Sequence, residues 1–311
     1  MTSHSKSNQL HPRLLLPLAL LLAILAVSTA SIFIKFAQRD APSLVIAALR
    51  LTFAALALAP LAWTRHRAEL LSLTRREILL GLLSGLFLSI HFATWITSLE
   101  YTTIASSVVF VSTGPLWVAL MSPLFLREPL TRPVLIGMAV ALLGGIVIGL
   151  SDSCSWNNGL ACDSFSQALR GRALFGNLLA LAGALAVSGY LMIGRKLRTK
   201  TSLIPYIFVV YSTAAIGLLI IMFAAGETPI GYQPITYVWI LLLALVPQLI
   251  GHSTYNWALA HLPAAFVAIT TLGEPIGSAI LAFFILQEVP SATTLLGGVL
   301  ILFGIYLSTR R

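Results

Sequence analysis

Charge is what this 311-residue chain has least of: 9% of its residues are Asp, Glu, Lys or Arg, against 58% hydrophobic, and the mean hydropathy is +0.94. So small a charged fraction excludes an ordinary water-facing surface and is the composition of a membrane protein. Cysteine is nearly absent too, Cys154 and Cys162 being the only two. A disulfide-built scaffold is thereby excluded, and so is a zinc site made of several thiolates. The chain has no Gly-rich phosphate loop of the ATPase type, no His-Glu-x-x-His pair and no nucleophile elbow, which argues against an ATP-driven pump and against a membrane enzyme. No cofactor, no metal and no catalytic residue is expected, and solute movement must then draw on its own gradient, an ion gradient or exchange.

What is present is a repeat. Pro115, Leu126, Glu128, Gly137, Leu142 and Gly144 recur as Pro275, Leu286, Glu288, Gly297, Leu302 and Gly304, a constant offset of 160 residues without a gap. The same offset carries Leu21, Ala26, Val27 and Ser28 onto Leu181, Ala186, Val187 and Ser188, and sets Lys35 opposite Arg195. Matches of Leu and Ala mean little in such a composition; the Pro, Glu and Gly agreements carry the inference of duplication.

A hydrocarbon core about 30 Å thick takes about 20 apolar residues per helix. Ten such stretches fit, at about 14–36, 43–62, 78–99, 103–125, 131–150, 171–194, 203–225, 237–258, 264–286 and 291–308. The expected architecture is an all-α membrane protein of ten transmembrane helices in two inverted five-helix repeats, residues 1–150 and 171–311, joined by an outer linker at 151–170. The first stretch reads as a span and not a signal peptide, because Ser28 to Lys35 lacks a processing end and nine more spans follow. Cys154 and Cys162 lie in the linker, facing an oxidising compartment, where a small disulfide loop is expected; two free thiols are the alternative.

Orientation follows from the basic residues. Lys6, Arg13, Arg65, Arg67, Arg75, Arg76, Arg127, Arg132, Arg195, Lys196, Arg198, Lys200, Arg310 and Arg311 fall in one set of loops and tails, and only four others fall in the opposite set. Both termini are therefore expected in the cytoplasm. The formal charge of +9 is accounted for by these membrane loops, and a nucleic-acid partner is not implied. An odd number of helices per repeat reverses the second repeat against the first, the inverted plan of secondary transporters.

Polar groups inside the spans are costly and so point to a transport path. Glu274 stands mid-span beside Pro275, whose missing N–H weakens the helical ladder. Its repeat counterpart is Gly114, and that of Arg50 is Val210, so duplicated packing requires neither charge. Glu274 suits an amine or a proton, or else a structural network. Arg50 suits bidentate recognition of a carboxylate, or else snorkels to the outer surface. Lys35, at the outer end of the first helix, is a second positive charge for the substrate or a boundary marker. The third helix places His91, Thr94, Trp95 and Ser98 on one face, and the eighth answers with Gln248, His252, Tyr255, Asn256 and Trp257. Trp95 and Tyr255 are counterparts at the 160-residue offset. Their rings suit an apolar or cationic part of a solute, with His91, His252 and Asn256 fixing its orientation; alternatively a histidine satisfies a neighbouring carbonyl. Ser28 and Ser188 are read as packing residues, and Tyr190 as interfacial. Pro115 and Pro275 suit a shared gating motion, while Glu128 and Glu288, at matched helix exits, suit capping or gating of opposite sides or pairing within a loop.

These residues carry a family resemblance. The Lys35 to Arg50 pattern, Thr113-Gly114-Pro115 running to Leu126-Arg127-Glu128, and Gly273-Glu274-Pro275 running to Leu286-Gln287-Glu288 resemble the EamA-type ten-helix branch of the drug/metabolite transporter superfamily in bacteria. Gln287 departs from the Gly that many relatives place before the final Glu. The resemblance implies a multi-pass protein of the bacterial cytoplasmic (inner) membrane that moves small metabolites, amino acids among them, by alternating access through a cavity between the halves. A broad drug or cation exporter is the alternative. Expected partners are the small-molecule substrate, membrane lipids and, where transport is coupled, protons; monomer and dimer both remain open, as does the direction of transport.

The topology is testable by labelling. Single cysteines near Thr74 and Thr199 should react only from the cytoplasmic side, and one near Gly159, with Cys154 and Cys162 replaced, only from outside; the opposite pattern defeats the inverted-repeat assignment.

Overall fold

Backbone that crosses hydrocarbon finds no water to bond, so it must satisfy itself within helices, and helices make up nearly all of this protein. A computed structural model describes residues 12–102, 107, 110–151, 154–155, 161–162, 171–286 and 292–310. The first repeat contributes α1 (Pro12–Ser28), α2 (Ala30–Ala37), α3 (Ser43–Arg65), the short α4 (Arg67–Ser72), α5 (Arg75–Ser98), α6 (Gly114–Phe125) and α7 (Arg132–Ser151). The second contributes α8 (Gly171–Arg198), α9 (Leu203–Ala224), α10 (Pro234–Leu243), a π-helical stretch Ala244–His252, α11 (Ser253–Ala258), α12 (Ala264–Thr271), α13 (Glu274–Leu286) and α14 (Ala292–Ser308). Between them the two-residue strands β1 (Cys154–Ser155) and β2 (Ala161–Cys162) pair antiparallel, Cys154 opposite Cys162. The cysteine side chains, and with them the expected disulfide, lie outside the described residues, as does Glu288.

Seven helical segments, not ten, are long and apolar enough to cross a membrane among the described residues: Leu15–Ala37, Ser43–Arg65, Arg75–Ser98, Gly171–Arg198, Leu203–Ala224, Pro234–Ala258 and Ala264–Ile285. Gly114–Phe125, Arg132–Val147 and Leu295–Ser308 are shorter apolar helices where the fourth, fifth and tenth spans were expected. A turn at Ser112-Thr113 stands just before Pro115, as one at Leu272-Gly273 stands before Pro275 within the segment Ala264–Ile285, and residues 103–106, 108 and 109 ahead of it lie outside the described residues.

The two repeats face each other through contacts that exchange under the offset. α7 and α14 cross on glycines, and a Cβ at Gly144 would stand 2.6 Å from the Gly297 carbonyl oxygen, while one at Gly304 would stand 2.5 Å from that of Gly137; each contact is the 160-residue image of the other. On α5, His91 bonds the carbonyl of Gly183 in α8 at 2.9 Å. Its image pairs Gly251 of the π-helical stretch with Ala23 of α1, where a Cβ would lie 3.5 Å from the Ala23 oxygen. Such close backbone approach is what small residues permit at helix contacts in membranes.

The prolines mark a second matched pair. Pro115 opens α6 and Pro275 opens α13, each after a two-residue turn. Above each break a serine spans to the facing repeat: the Ser28 hydroxyl is 2.6 Å from the Ile24 carbonyl and 3.1 Å from that of Glu274, and the Ser188 hydroxyl is 2.7 Å from the Ala184 carbonyl and 3.0 Å from that of Gly114. The packing role expected of both serines therefore includes satisfying the carbonyl that precedes each proline.

Acidic residues are few, and four of the ten serve helix starts, where unbonded N–H groups and the helix dipole favour negative charge. Glu77 closes a capping box with Thr74 on α5. Asp40 accepts from Gln233 N at 2.8 Å ahead of α10, Glu69 from Ser202 N at 2.7 Å ahead of α9, and Glu128 from Ala264 N at 3.0 Å on α12. Glu227 lies near the start of α3, and burial and the nearby charge of Glu100 push its carboxyl above the ordinary range.

The α7–α14 crossing gives a direct stability test. Gly304→Val should destabilise the protein by about 1–3 kcal/mol, the scale of overpacking, lowering the thermal unfolding midpoint in detergent. Gly145→Ala, with nothing within 4 Å of the added carbon, should leave that midpoint unchanged.

Candidate functional site

The enclosed centre of the protein is built around Arg50. The residue is 1% exposed in the middle of α3, and an isolated guanidinium could not stay there unpaired. Its Nε donates to Oε1 of Gln248 at 3.1 Å, and its Cζ lies 4.2 Å from the centre of the Phe92 ring, a cation–π distance. It does not snorkel outward. Gln248 reaches it because Pro247 sits in the π-helical stretch Ala244–His252, a wider turn of the kind often found at functional sites. The carbonyl of Gln248 in turn accepts from Tyr211 and Ser253, each at 3.4 Å, and the Tyr211 and Ser253 hydroxyls are 3.2 Å apart.

Aromatic rings wall this centre. His91 stacks on Trp95 at 5.7 Å, Phe92 meets His252 edge-on at 5.5 Å, and Tyr190 lies 6.5 Å from His252. Asn256 donates to the Tyr190 hydroxyl and, at 2.8 Å, to the His252 carbonyl. Glu274 begins α13 beside this group and lies within Coulombic reach of Arg50 and Tyr255.

The fold thus brings together Arg50, His91, Trp95, His252, Tyr255 and Asn256, with Glu274 at their side. Lys35 does not join the buried set; it is exposed in the last turn of α2. His91 serves a neighbouring carbonyl, that of Gly183, as well as stacking on Trp95, and Thr94 bonds the Ile90 carbonyl of its own helix at 2.8 Å. Pro115 is buried and Pro275 half-buried at the two helix breaks. Trp257 turns away, packing on His261 at 4.9 Å and lining a groove between α1 and the π-helical stretch.

Tyr190 corrects the expectation of an interfacial residue: it is 1% exposed. α8 runs on to Arg198, which sets Tyr190 roughly 12 Å inside the helix end at 1.5 Å per residue. Phe92 and Tyr211 were not selected from the sequence, and Gln248, noted among the polar groups of its span, was given no role of its own. For Tyr211 a signal existed, since a tyrosine in mid-span, away from the interfacial belts, must find a partner for its hydroxyl.

Nine buried side-chain polar atoms among the described residues lack a hydrogen-bond partner, and five of them sit here: Arg50 Nη1, Gln248 Nε2, Trp95 Nε1, Tyr255 Oη and Asn256 Oδ1. Each such atom costs about 1–3 kcal/mol, so their concentration marks a place where a bound solute would restore lost bonds. Three are N–H donors, suited to a carboxylate or another oxyanion; Asn256 Oδ1 and the Glu274 carboxylate suit an ammonium group.

Comparison with known proteins agrees with this picture. The solved crystal structure of another protein superposes with a TM-score of 0.74 over 94% of this chain and 96% of its own, at 19% identity, which establishes the fold. An uncharacterized transporter of Archaeoglobus fulgidus is 23% identical over 94% of this chain and 97% of its own, and the pseudopaline exporter CntI of Pseudomonas aeruginosa is 25% identical over 92% and 94%. The EamA-like transporter family matches twice, at residues 15–150 and 174–310. The two matches cover most of the chain, one in each repeat, and the protein belongs to the EamA-like transporter family.

Proposed function

We propose that this transporter is a secondary carrier of small organic solutes bearing a carboxylate and an amine, amino acids or related amphipathic metabolites, and that it works by alternating access between two inverted five-helix repeats. In this reading the ten spans comprise the seven long segments and the three shorter apolar helices, both termini are cytoplasmic, and the membrane is the bacterial inner membrane. The linker cysteines are joined as a disulfide on the outer face.

The observation that carries the reading is the set of unpartnered polar atoms around Arg50 with Glu274 beside them. Arg50 Nη1 and Gln248 Nε2 offer hydrogen bonds to a carboxylate, Glu274 and Asn256 Oδ1 offer acceptors to an ammonium group, and Trp95 with Tyr255 form the apolar wall. Selectivity follows from the same arithmetic, since a solute that leaves one of these buried groups unpaired forfeits its bond. With Arg50, Gln248, Asn256 and Tyr255 all under 4% exposed, a solute enters or leaves only when helices separate. That the relative CntI is named as an exporter of pseudopaline is compatible with an organic solute.

Two measurements in proteoliposomes test this, using a panel of amino acids, amines and organic acids with pH and voltage varied separately. Arg50→Lys keeps the charge and loses the fork; flux of carboxylate-bearing solutes should fall on the order of tenfold, the equivalent of about 1.4 kcal/mol, and amines without a carboxylate should be spared. Glu274→Gln should abolish pH-driven accumulation while leaving exchange if this carboxylate carries the coupling proton, and should weaken amine-bearing solutes at every pH if it only binds them. Unaltered flux and selectivity in both folded variants would remove the charged site. Selective transport of lipophilic cations that are indifferent to Arg50 would favour the drug-exporter reading.

The wall is tested separately. Trp95→Ala or Tyr255→Ala should lower solute-dependent flux more than protein abundance, and Phe at either position should retain more activity than Ala, because ring area is what encloses the solute. Folded Ala variants with unchanged concentration dependence would take that residue out of the site.

A further inference from the structure

We infer that Glu128 and Arg195 form a latch that holds the basic-loop end of the transport path shut, and that this latch opens and closes in each cycle; the inference rests on the alternating-access reading above. Arg195 stands near the end of α8 and donates through Nε to Glu128 Oε1 at 2.6 Å and through Nη1 to the Leu259 carbonyl at 2.7 Å. The second carboxylate oxygen of Glu128 accepts Ala264 N at 3.0 Å. One ion pair therefore ties four pieces of chain: the turn after α6, the end of α8, the turn after α11 and the first turn of α12. The first belongs to one repeat and the other three to the facing repeat, so the halves cannot part at this end while both bonds hold.

Two features distinguish the pair from a surface salt bridge of negligible strength. Both side chains are about four-fifths buried, at 20% and 19% exposure, and each makes a further bond to backbone, so breaking the pair strands a helix N-terminal N–H and a carbonyl as well as two charges. Glu128 is also aimed by its backbone: Arg127 holds φ at +57°, a left-handed conformation that costs a non-glycine residue on the order of 1 kcal/mol and is kept where surrounding bonds demand it. The latch lies directly beyond the site, since Arg198, one turn on from Arg195, donates to the Asn256 carbonyl at 3.1 Å, and Asn256 bonds Tyr190 and His252. Opening this end thus pulls on the same short helix, α11, that carries two of the site's groups. In sequence the 160-residue offset maps the pair onto Lys35 and Glu288, the same two charges at the opposite helix exits.

The test reads access behind the latch. In full-length protein with Cys154 and Cys162 replaced by Ser, Ala258→Cys introduces a reporter at a position 0% exposed, one residue before the clasped carbonyl of Leu259. Glu128→Gln should raise the rate of its modification by a small maleimide fivefold or more, and the exchanged pair Glu128→Arg with Arg195→Glu should recover part of the protection, the ion pair returning without the bond to Ala264 N. Independently, a Glu128→Cys, Arg195→Cys double variant should lose solute flux when cross-linked and regain it on reduction. Unchanged reporter labelling in Glu128→Gln, or full flux through the cross-linked protein, would overturn the latch. Should Glu128→Gln not fold, the reversible cross-link decides alone. If the unmodified protein moves no solute of the panel, the transport reading fails instead, and reporter labelling still shows whether the pair closes this end.

Discussion

A helix that breaks inside hydrocarbon must find new partners for the groups it releases, with no water to supply them. This constraint organises the protein. Turns break the chain before α6 and α13, at Pro115 and Pro275, and the carbonyls preceding those prolines are served by Ser188 and Ser28 from the opposite repeat. α10 continues into the π-helical stretch around Pro247, where the Gln248 carbonyl accepts from the Tyr211 and Ser253 hydroxyls in addition to the Ser253 backbone N–H. Helix starts at the membrane surfaces draw instead on scarce carboxylates, each placed where an N–H lacks a partner. Irregular backbone in these helices is thus met by side chains of other helices, from the facing repeat at the two proline breaks and from the same repeat at the π-helical stretch.

Duplication then separates scaffold from function. Contacts between the halves come in images of each other: the Ser28 and Ser188 bonds, the glycine approaches of α7 and α14, and His91 bonded to Gly183 with Gly251 packed close to Ala23. The polar groups of the centre do not. Arg50 answers to Val210, Gln248 to Leu88, Asn256 to Ile96 and Glu274 to Gly114. A charge or amide that its repeat counterpart does without is not required by the duplicated packing, and Arg50, Gln248 and Asn256 supply three of the five unpartnered atoms at the centre. Trp95 and Tyr255 are the exception, aromatic at matched positions in both repeats.

The centre and the Glu128–Arg195 pair are connected through bonds. Gln248, Tyr255 and Asn256 hang from one stretch of chain, Ala244–His252 and α11, and the end of that stretch is held by Arg195 and Arg198 through two carbonyls. Those arginines serve the function that cations perform at helix C-termini, while Glu128, the partner of Arg195, comes from the other repeat. Movement at one place is therefore felt at the other.

The sequence by itself determined the membrane environment, the two repeats and their offset, the family resemblance, and six of the residues that the fold gathers around one point, because hydropathy, periodicity and duplicated prolines and glycines are local properties of the chain. It also marked Glu128 as a residue to watch, without its partners. Only the tertiary structure decided that Arg50 points inward and not to the surface, that Tyr190 is buried, that Lys35 stays outside, that Gln248 is the partner of Arg50, and that Phe92 and Tyr211 belong to the centre. Each of these depends on where a second helix passes. A guanidinium snorkels or stays according to whether an acceptor such as Gln248 stands within 3.1 Å, and that acceptor is set 198 residues away by a widened turn whose geometry no spacing in the sequence encodes.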